Sequence, residues 1–306
     1  MSKAESSYVR QALSASNPIR ADGRGLGDYR TLSVVRGIIP LANGSARVAV
    51  GGTEVLASSK LEVTSSELGN IACNVICPGS AYPSLAPGAL DDLAYDYTHI
   101  LNSTMSDVSL LPANLTIIPK KKNWSLMLDI VVLCDSGNIF DVLFLAARIA
   151  LLDTRVPRTS PIEYKAPKGA QIEAGMGFSM RREQVAQDFE IKDYWDEGAP
   201  LQGADGWPVA VTLNLIPPVH FLDALPVEET ASGHRIIMIY SFSATSEPRL
   251  HGIRLLGAGE VTTSQLETLL QDGEKYARKL KESLDAHLKV QELSSEQVIP
   301  TIYTLR

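Results

Sequence analysis

Residues 126–152 leave this chain little choice of fold. Residues 126–134 (LMLDIVVLC) are apolar almost throughout, with Asp129 the single charge. Such a run reads as a strand covered on both faces. Asp135-Ser136-Gly137-Asn138 breaks it. Residues 139–152 then read as a helix that is apolar nearly all round, so it must be buried. Asp141 and Arg148 lie seven apart, which puts them on one face, and they mark its one polar edge.

The rest of the chain arranges itself around this centre in two similar batches, strands first and a helix last. In the first, Ser2-x-x-Glu5 is a capping box that opens a short helix ending before Asn17-Pro18. Strands are predicted at 32–35, 46–50 and 55–61, with Gly51-Gly52 as a two-residue hairpin. Leu90, Leu93, Ala94, Tyr97, Ile100 and Leu101 follow a helical period, and 115–118 reads as another strand. In the second batch, strands are predicted at 209–215, 234–243 and 252–255. Ser264-x-x-Glu267 is read as a capping box for a long helix whose stripe runs from Leu266 to Leu284. Between the batches, 159–206 is rich in Pro, Gly and mixed charge, and reads as an irregular insertion with a strand near 189–192. Beyond Lys289 the tail is polar until 298–305, a segment that could dock as a strand or fray. Together these batches give an α+β chain with internal pseudo-duplication.

Composition narrows the function. No apolar run reaches the roughly 18 residues a membrane span needs, so no membrane partner is expected. The polar start, Met1-Ser2-Lys3-Ala4-Glu5, lacks the apolar stretch of a secretory signal. Cys73, Cys77 and Cys134 form no zinc-ligand spacing, and neither metal nor cofactor is expected. The five histidines are scattered, and no G-x-S-x-G, P-loop or dinucleotide motif accompanies them. The net charge of −7 argues against a general nucleic-acid coat and confines any RNA contact to one face. Lys120-Lys121-Lys122 is the densest cationic cluster. Two readings stay open for it: a sequence-neutral contact to an RNA backbone, which Arg155, Arg158 and Lys165 would extend, or a solvated turn.

Several short words occur in a fixed order: Ile19-Arg20-Ala21-Asp22-Gly23-Arg24, Asp28-Tyr29-Arg30, Gly44-Ser45-Ala46-Arg47-Val48 and Gly51-Gly52-Thr53-Glu54-Val55-Leu56. Leu152-Asp153-Thr154-Arg155-Val156-Pro157-Arg158 follows, then Pro208-Val209-Ala210-Val211-Thr212-Leu213, Leu222-Asp223-Ala224 and Glu228-Glu229. In this order they resemble the RNase PH family of phosphorolytic ribonucleases and their inactive relatives, in the branch of the eukaryotic exosome ring. The resemblance covers about 5–158 and 207–288. It implies the RNase PH-like (ribosomal protein S5 domain 2-like) fold as a single domain, 1–288, with the insertion at about 159–206 and a tail at 289–306.

The resemblance also implies a six-membered ring of related subunits around a channel for single-stranded RNA. The expected partners are other RNase PH-like ring subunits, especially mRNA transport regulator 3, and an RNA-binding cap subunit. The expected location is nucleus, nucleolus and cytoplasm. Active relatives grip phosphate at the turn after the central strand, where a helix N-terminus is joined by an arginine. Here that turn is Ser136-Gly137-Asn138, with Asn138 in the arginine's place, so the phosphate site is read as degenerate. The bland reading is a simple helix cap by Ser136 or Asn138. Active relatives also carry a close acidic pair. The candidates here, Asp188, Glu190, Asp193, Asp196 and Glu197, are read by default as a solvated acidic loop. The expected function is therefore a non-catalytic, RNA-guiding ring subunit, and the alternative is a phosphate-dependent 3'-5' exoribonuclease.

Overall fold

The structure is a computed structural model that describes residues 1–66, 68–162, 188–191, 198–203, 206–243 and 247–296, with side chains up to 291. It opens with helix α1 (Lys3–Ser14), whose capping box is formed as expected: Glu5 N–H donates to Ser2 Oγ, and Ser2 N–H to Glu5. Strands β1 (Leu32–Arg36), β2 (Gly44–Val50), β3 (Thr53–Thr64), β4 (Asn70–Ile76), β5 (Thr116–Ile118) and β6 (Lys122–Cys134) then build a first sheet of order β1-β2-β3-β6-β4, with β5 paired to the start of β6. The β2–β3 turn is Gly51-Gly52, as the hairpin signal requires. Only β4 runs parallel to β6. A parallel pair needs a crossover, and helix α2 (Pro87–Met105) lies in it.

Beyond β6 comes helix α3 (Ile139–Asp153), buried at every position from Ile139 to Leu151. The chain continues through β7 (Arg155–Val156), β8 (Thr159–Ile162), β9 (Asp188–Ile191) and β10 (Ala199–Pro200), paired as β8 with β9 and β7 with β10. A second sheet has the order β12-β11-β13-β14, from β11 (Val209–Ile216), β12 (Val219–Phe221), β13 (His234–Ser241) and β14 (Arg249–Gly257). Helix α4 (Pro226–Ser232) joins β12 to β13, and α5 (Thr263–Glu296) follows the sheet and continues past the tail boundary expected at 288.

Helix α3 packs on β2 and β3 on one side and on β11 on the other. Helix α2 shares its layer, where Tyr97 meets Phe140 edge-on. Every residue of β11 is buried, because α5 covers the face that α3 leaves. The layers are thus sheet, helices, sheet, helix. This explains why α3 has no polar face: burying each of Leu143, Phe144 and Leu145 contributes about 1.5–3 kcal/mol.

Two local expectations change. The polar edge made by Asp141 and Arg148 is itself buried and ties α3 to the second half of the chain. Asp141 accepts from Thr212, and Arg148 donates to the Trp207 carbonyl and pairs with Asp285. The α5 capping box is formed by Thr262 and Gln265, two residues earlier than expected, with Thr262 N–H on Gln265 Oε1 and Gln265 N–H on Thr262 Oγ1. Lys120–Lys122 forms the tight β5–β6 turn, in which Lys121 N–H donates to the Ile118 carbonyl and Lys122 already belongs to the strand. The segment 298–305, Lys165, Asp193, Asp196 and Glu197 lie outside the described residues.

Candidate anion site and RNA-contact residues

Where β6 gives way to α3, the backbone amides of Ser136, Gly137 and Asn138 are engaged by the chain itself. Ser136 N–H donates to Thr53 Oγ1 (3.0 Å), Gly137 N–H to Asp135 Oδ1 (2.9 Å) and Asn138 N–H to Glu229 Oε1 (2.8 Å). The carbonyls are taken too: Arg30 donates to Ser136 O (2.8 Å) and Gly137 O (3.0 Å), and Thr53 Oγ1 to Gly137 O (2.6 Å). Gly137 sits at φ +87°, and a Cβ there would lie 2.3 Å from the Ala224 carbonyl oxygen. Only glycine fits that approach.

Asn138 stands at the N-cap position in a left-handed conformation, but its side chain makes no capping bond. It turns inward and donates from Nδ2 to Asp141 Oδ2 (3.1 Å). The capping role expected for Ser136 or Asn138 is therefore not how the helix starts. Asp141 also accepts from Tyr29 Oη (2.9 Å) and Thr212 Oγ1 (2.7 Å). Burial pushes its carboxyl up to about 7, against the pull of those donors, and burial beside Asp141 holds the Tyr29 phenol well above its usual range.

Around the turn stands a block of arginines and carboxylates. Arg20 pairs with Glu228 (2.6 Å). Arg24 and Arg30 share Asp223 (2.9 and 2.6 Å). Arg24 also reaches Asp22 (2.7 Å), and Arg235 pairs with Glu229 (2.6 Å). The arginines of the entry words thus meet the carboxylates of the second-half words. Arg30 reaches its place because Gly51 carries no side chain: a Cβ there would lie 2.5 Å from Arg30 Cδ. The block is electrically closed, and it offers an incoming anion none of the donors described above.

Among the described residues, the acids at the turn are Asp135, Asp141, Asp223 and Glu229. Asp188 and Glu190 belong to strand β9 instead of a solvated loop. Asp188 pairs with Lys122 (3.1 Å), whose hydrogen bond holds its carboxyl below the usual range, and the Lys122 ammonium lies 5.3 Å from the centre of the Phe189 ring. Lys120, Lys121 and Lys122 are not brought to Ser136, Gly137 and Asn138. The two groups lie at opposite ends of the 13-residue strand β6, about 40 Å apart at about 3.3 Å per residue. Arg155 opens β7 just after α3 and donates its backbone N–H to the Asn43 carbonyl.

One constellation had no sequence signal. Ser241 Oγ lies 2.7 Å from His251 Nε2, and His251 Nδ1 lies 3.2 Å from Asp107 Oδ2. The order is that of a nucleophile, base and acid. The His251 side chain is only 3% exposed while Asp107 reaches the surface, and the group ties the segment after α2 to the second sheet.

The family model described as "3' exoribonuclease family, domain 1" matches residues 28–157. Exosome complex component Rrp42 of Saccharolobus solfataricus is 30% identical over 280 residues, covering 89% of this chain and 90% of its own length. Its counterpart from Saccharolobus islandicus is 28% identical over 277 residues, with the same coverage. Among solved structures, a chain of the Archaeoglobus fulgidus exosome with RNA bound to the active site superposes with a TM-score of 0.68 at 23% identity, over 92% of this chain and 97% of that one. Rice Rrp46 gives 0.56 at 16% identity, over 88% and 100%. The structures share the fold, and the sequence relatives share descent over nearly the whole chain: it belongs to the RNase PH, or 3' exoribonuclease, family.

Proposed function

We propose that this chain is a non-catalytic subunit of an RNA exosome core ring, which scaffolds the complex and helps guide single-stranded RNA through the channel for 3'-5' processing and decay, including ribosomal RNA maturation. The observation that carries the reading is the closed turn at Ser136–Gly137–Asn138. A phosphate acting as nucleophile needs open amides and a cation. Here the amides are occupied, the arginine position is Asn138, and that side chain points into the core. Ring membership is supported by the relatives named Rrp42. It is supported too by two strands that pair on one side only among the described residues and carry exposed apolar side chains, Val35 on β1 and Ile253 and Leu255 on β14. An edge strand left open in this way calls for a neighbour.

The neighbours in this reading are other RNase PH-like subunits, with mRNA transport regulator 3 and an RNA-binding cap subunit in contact. Lys120 and Lys121, at the tip of the β5–β6 turn, meet the RNA backbone with Lys122 behind them. The location is nucleus, nucleolus and cytoplasm. The test is to incubate labelled single-stranded RNA with this chain, alone and with a ring partner, in inorganic phosphate. No nucleoside diphosphate above a no-protein control is expected from the chain alone, and release there would establish the phosphate-dependent exoribonuclease instead.

A further inference from the structure

We infer that the cleft between the β11–β12 hairpin and the start of α5 is a docking site for a protein partner, which enters as an extended segment carrying a lysine or arginine beside an apolar residue. The inference goes beyond the proposed function and rests neither on the closed turn nor on strands β1 and β14.

The cleft holds about 250 Å³. That is the space of about eight waters, too little for a drug-sized ligand and enough for one or two side chains. Its floor is apolar, with Leu215 of β11 and Leu269 of α5 buried at the base. Val219, Val261 and the Pro217-Pro218 turn build the walls. These walls are held before any partner arrives. The β11–β12 ladder runs up to Ile216 and Val219, which fixes the hairpin turn. Opposite, the loop that carries Glu260 and Val261 rests on the His234 ring. Glycine at 259 permits this, since a Cβ there would lie 2.3 Å from His234 Cγ. The loop then runs into the Thr262–Gln265 box that opens α5. A wall fixed in this way has little left to order on binding.

Charge selects the occupant. Glu260 is the one carboxylate among the residues that line the cleft, and no lysine or arginine lines it. Its side chain forms no ion pair among the described residues. His220 adds no positive charge at neutral pH, because burial lowers its pKa against the pull of Asp272, 3.7 Å away. Glu267 and Asp272 continue the acidic side along α5, whose first basic residue is Lys275. The positive end of α5 is met by its own capping box, so Glu260 is not needed there. An apolar floor beneath an unpaired carboxylate suits a long cationic side chain. Its methylene stem packs on the floor while its charged head stays at the wet rim. An apolar neighbour on the same segment fills the remaining space.

The experiment is an NMR titration of the full chain, with isotope-labelled histidine, at neutral pH. The probes are blocked tripeptides that differ only in the middle residue: Val-Lys-Val, Val-Gln-Val and Val-Glu-Val. The lysine peptide should move the His220 and His234 ring signals and saturate. The glutamine peptide should bind more weakly, and the glutamate peptide not at all. Glu260→Gln, a change on an exposed loop, should weaken the lysine peptide by about fivefold, the upper worth of an exposed ion pair, and leave the glutamine peptide unchanged. Thr268→Trp, on the exposed side of α5, should fill the cleft and abolish binding. Lysine and glutamate peptides that bind alike overturn the proposal, as does a lysine peptide that leaves both rings unmoved or ignores Glu260→Gln. Ring signals that shift with protein concentration in the absence of peptide would assign the cleft to a second copy and overturn it too. Nucleoside diphosphate release and ring association are read separately, so the proposed function can fail without this inference failing.

Discussion

Asp223 is where the arginine block can be broken with one atom exchanged for another. Its side chain is fully buried and accepts from Arg24 Nη1, Arg30 N, Arg30 Nε and Arg30 Nη2 at 2.6–2.9 Å. Asp223→Asn keeps the shape and suits the positive φ of 46°, since asparagine tolerates that backbone as aspartate does. What it removes is the charge that two nearly buried guanidiniums share. Breaking a buried pair from one side costs about 3–5 kcal/mol, because the partner charge is left uncompensated. At about 2 °C per kcal/mol for a chain of this size, the unfolding midpoint should fall by about 6 °C or more. The damage should reach the turn, because Arg30 also holds the Ser136 and Gly137 carbonyls. Amide hydrogen exchange at Ser136–Asn138 should therefore accelerate more than in the first sheet's core. Urea unfolding of wild type, Asp223→Asn, Arg30→Gln and the double variant gives the coupling, expected to exceed about 1 kcal/mol. A variant within about 1 kcal/mol of wild type, with unchanged exchange at the turn, would refute the claim that this pair clamps it.

Other outcomes follow from the same geometry. The Asp141 carboxyl stands near 7 in the fold and near 4 unfolded, so its protonated form favours folding; that contribution is full below about pH 4 and is lost as pH rises through 7, on the order of 4 kcal/mol. Asp141→Asn should flatten this component, read as the difference between the two urea-midpoint profiles from pH 4 to 8. Converting Lys120, Lys121 and Lys122 to Ala in the assembled ring should weaken RNA binding equally across sequences and lower the salt slope by about 0.7 per lost phosphate contact; an unchanged slope leaves only a solvated turn. Ile253→Glu with Leu255→Glu on the β14 edge should leave the chain folded by circular dichroism yet block association with ring partners in size measurements, and an intact assembly would remove β14 from the interface.

The centre of the fold was legible because burial on both sides leaves a continuous apolar record: 126–134 and 139–152 announce β6 and α3 without reference to anything distant. The Ser2–Glu5 box and the Gly51-Gly52 hairpin were legible for the opposite reason, being complete within a few residues. The α5 cap was misframed because 262–267 (TTSQLE) holds two overlapping copies of the same capping pattern, and only the chain's entry angle selects Thr262 and Gln265. At the site, Arg20, Arg24 and Arg30 stood in one set of words and Asp223, Glu228 and Glu229 in another. Nothing local tells an arginine which carboxylate, some two hundred positions on, it will meet. Glu229 on the Asn138 amide was invisible for that reason, although Asn138 itself marked the turn as altered.

The β8–β9 pairing carries a consequence for how this chain tolerates change. Ile162 and Asp188 are cross-strand partners, so the polypeptide departs into 163–187 and returns at adjacent positions on one short ladder. Whatever length is spliced between those two points, the rest of the molecule experiences the same entry and exit. Closing a loop five times longer costs only about 1.4 kcal/mol more, since the penalty grows with the logarithm of length. The ladder itself thus admits a change of loop length at this point, with Lys122 still paired to Asp188 across from it.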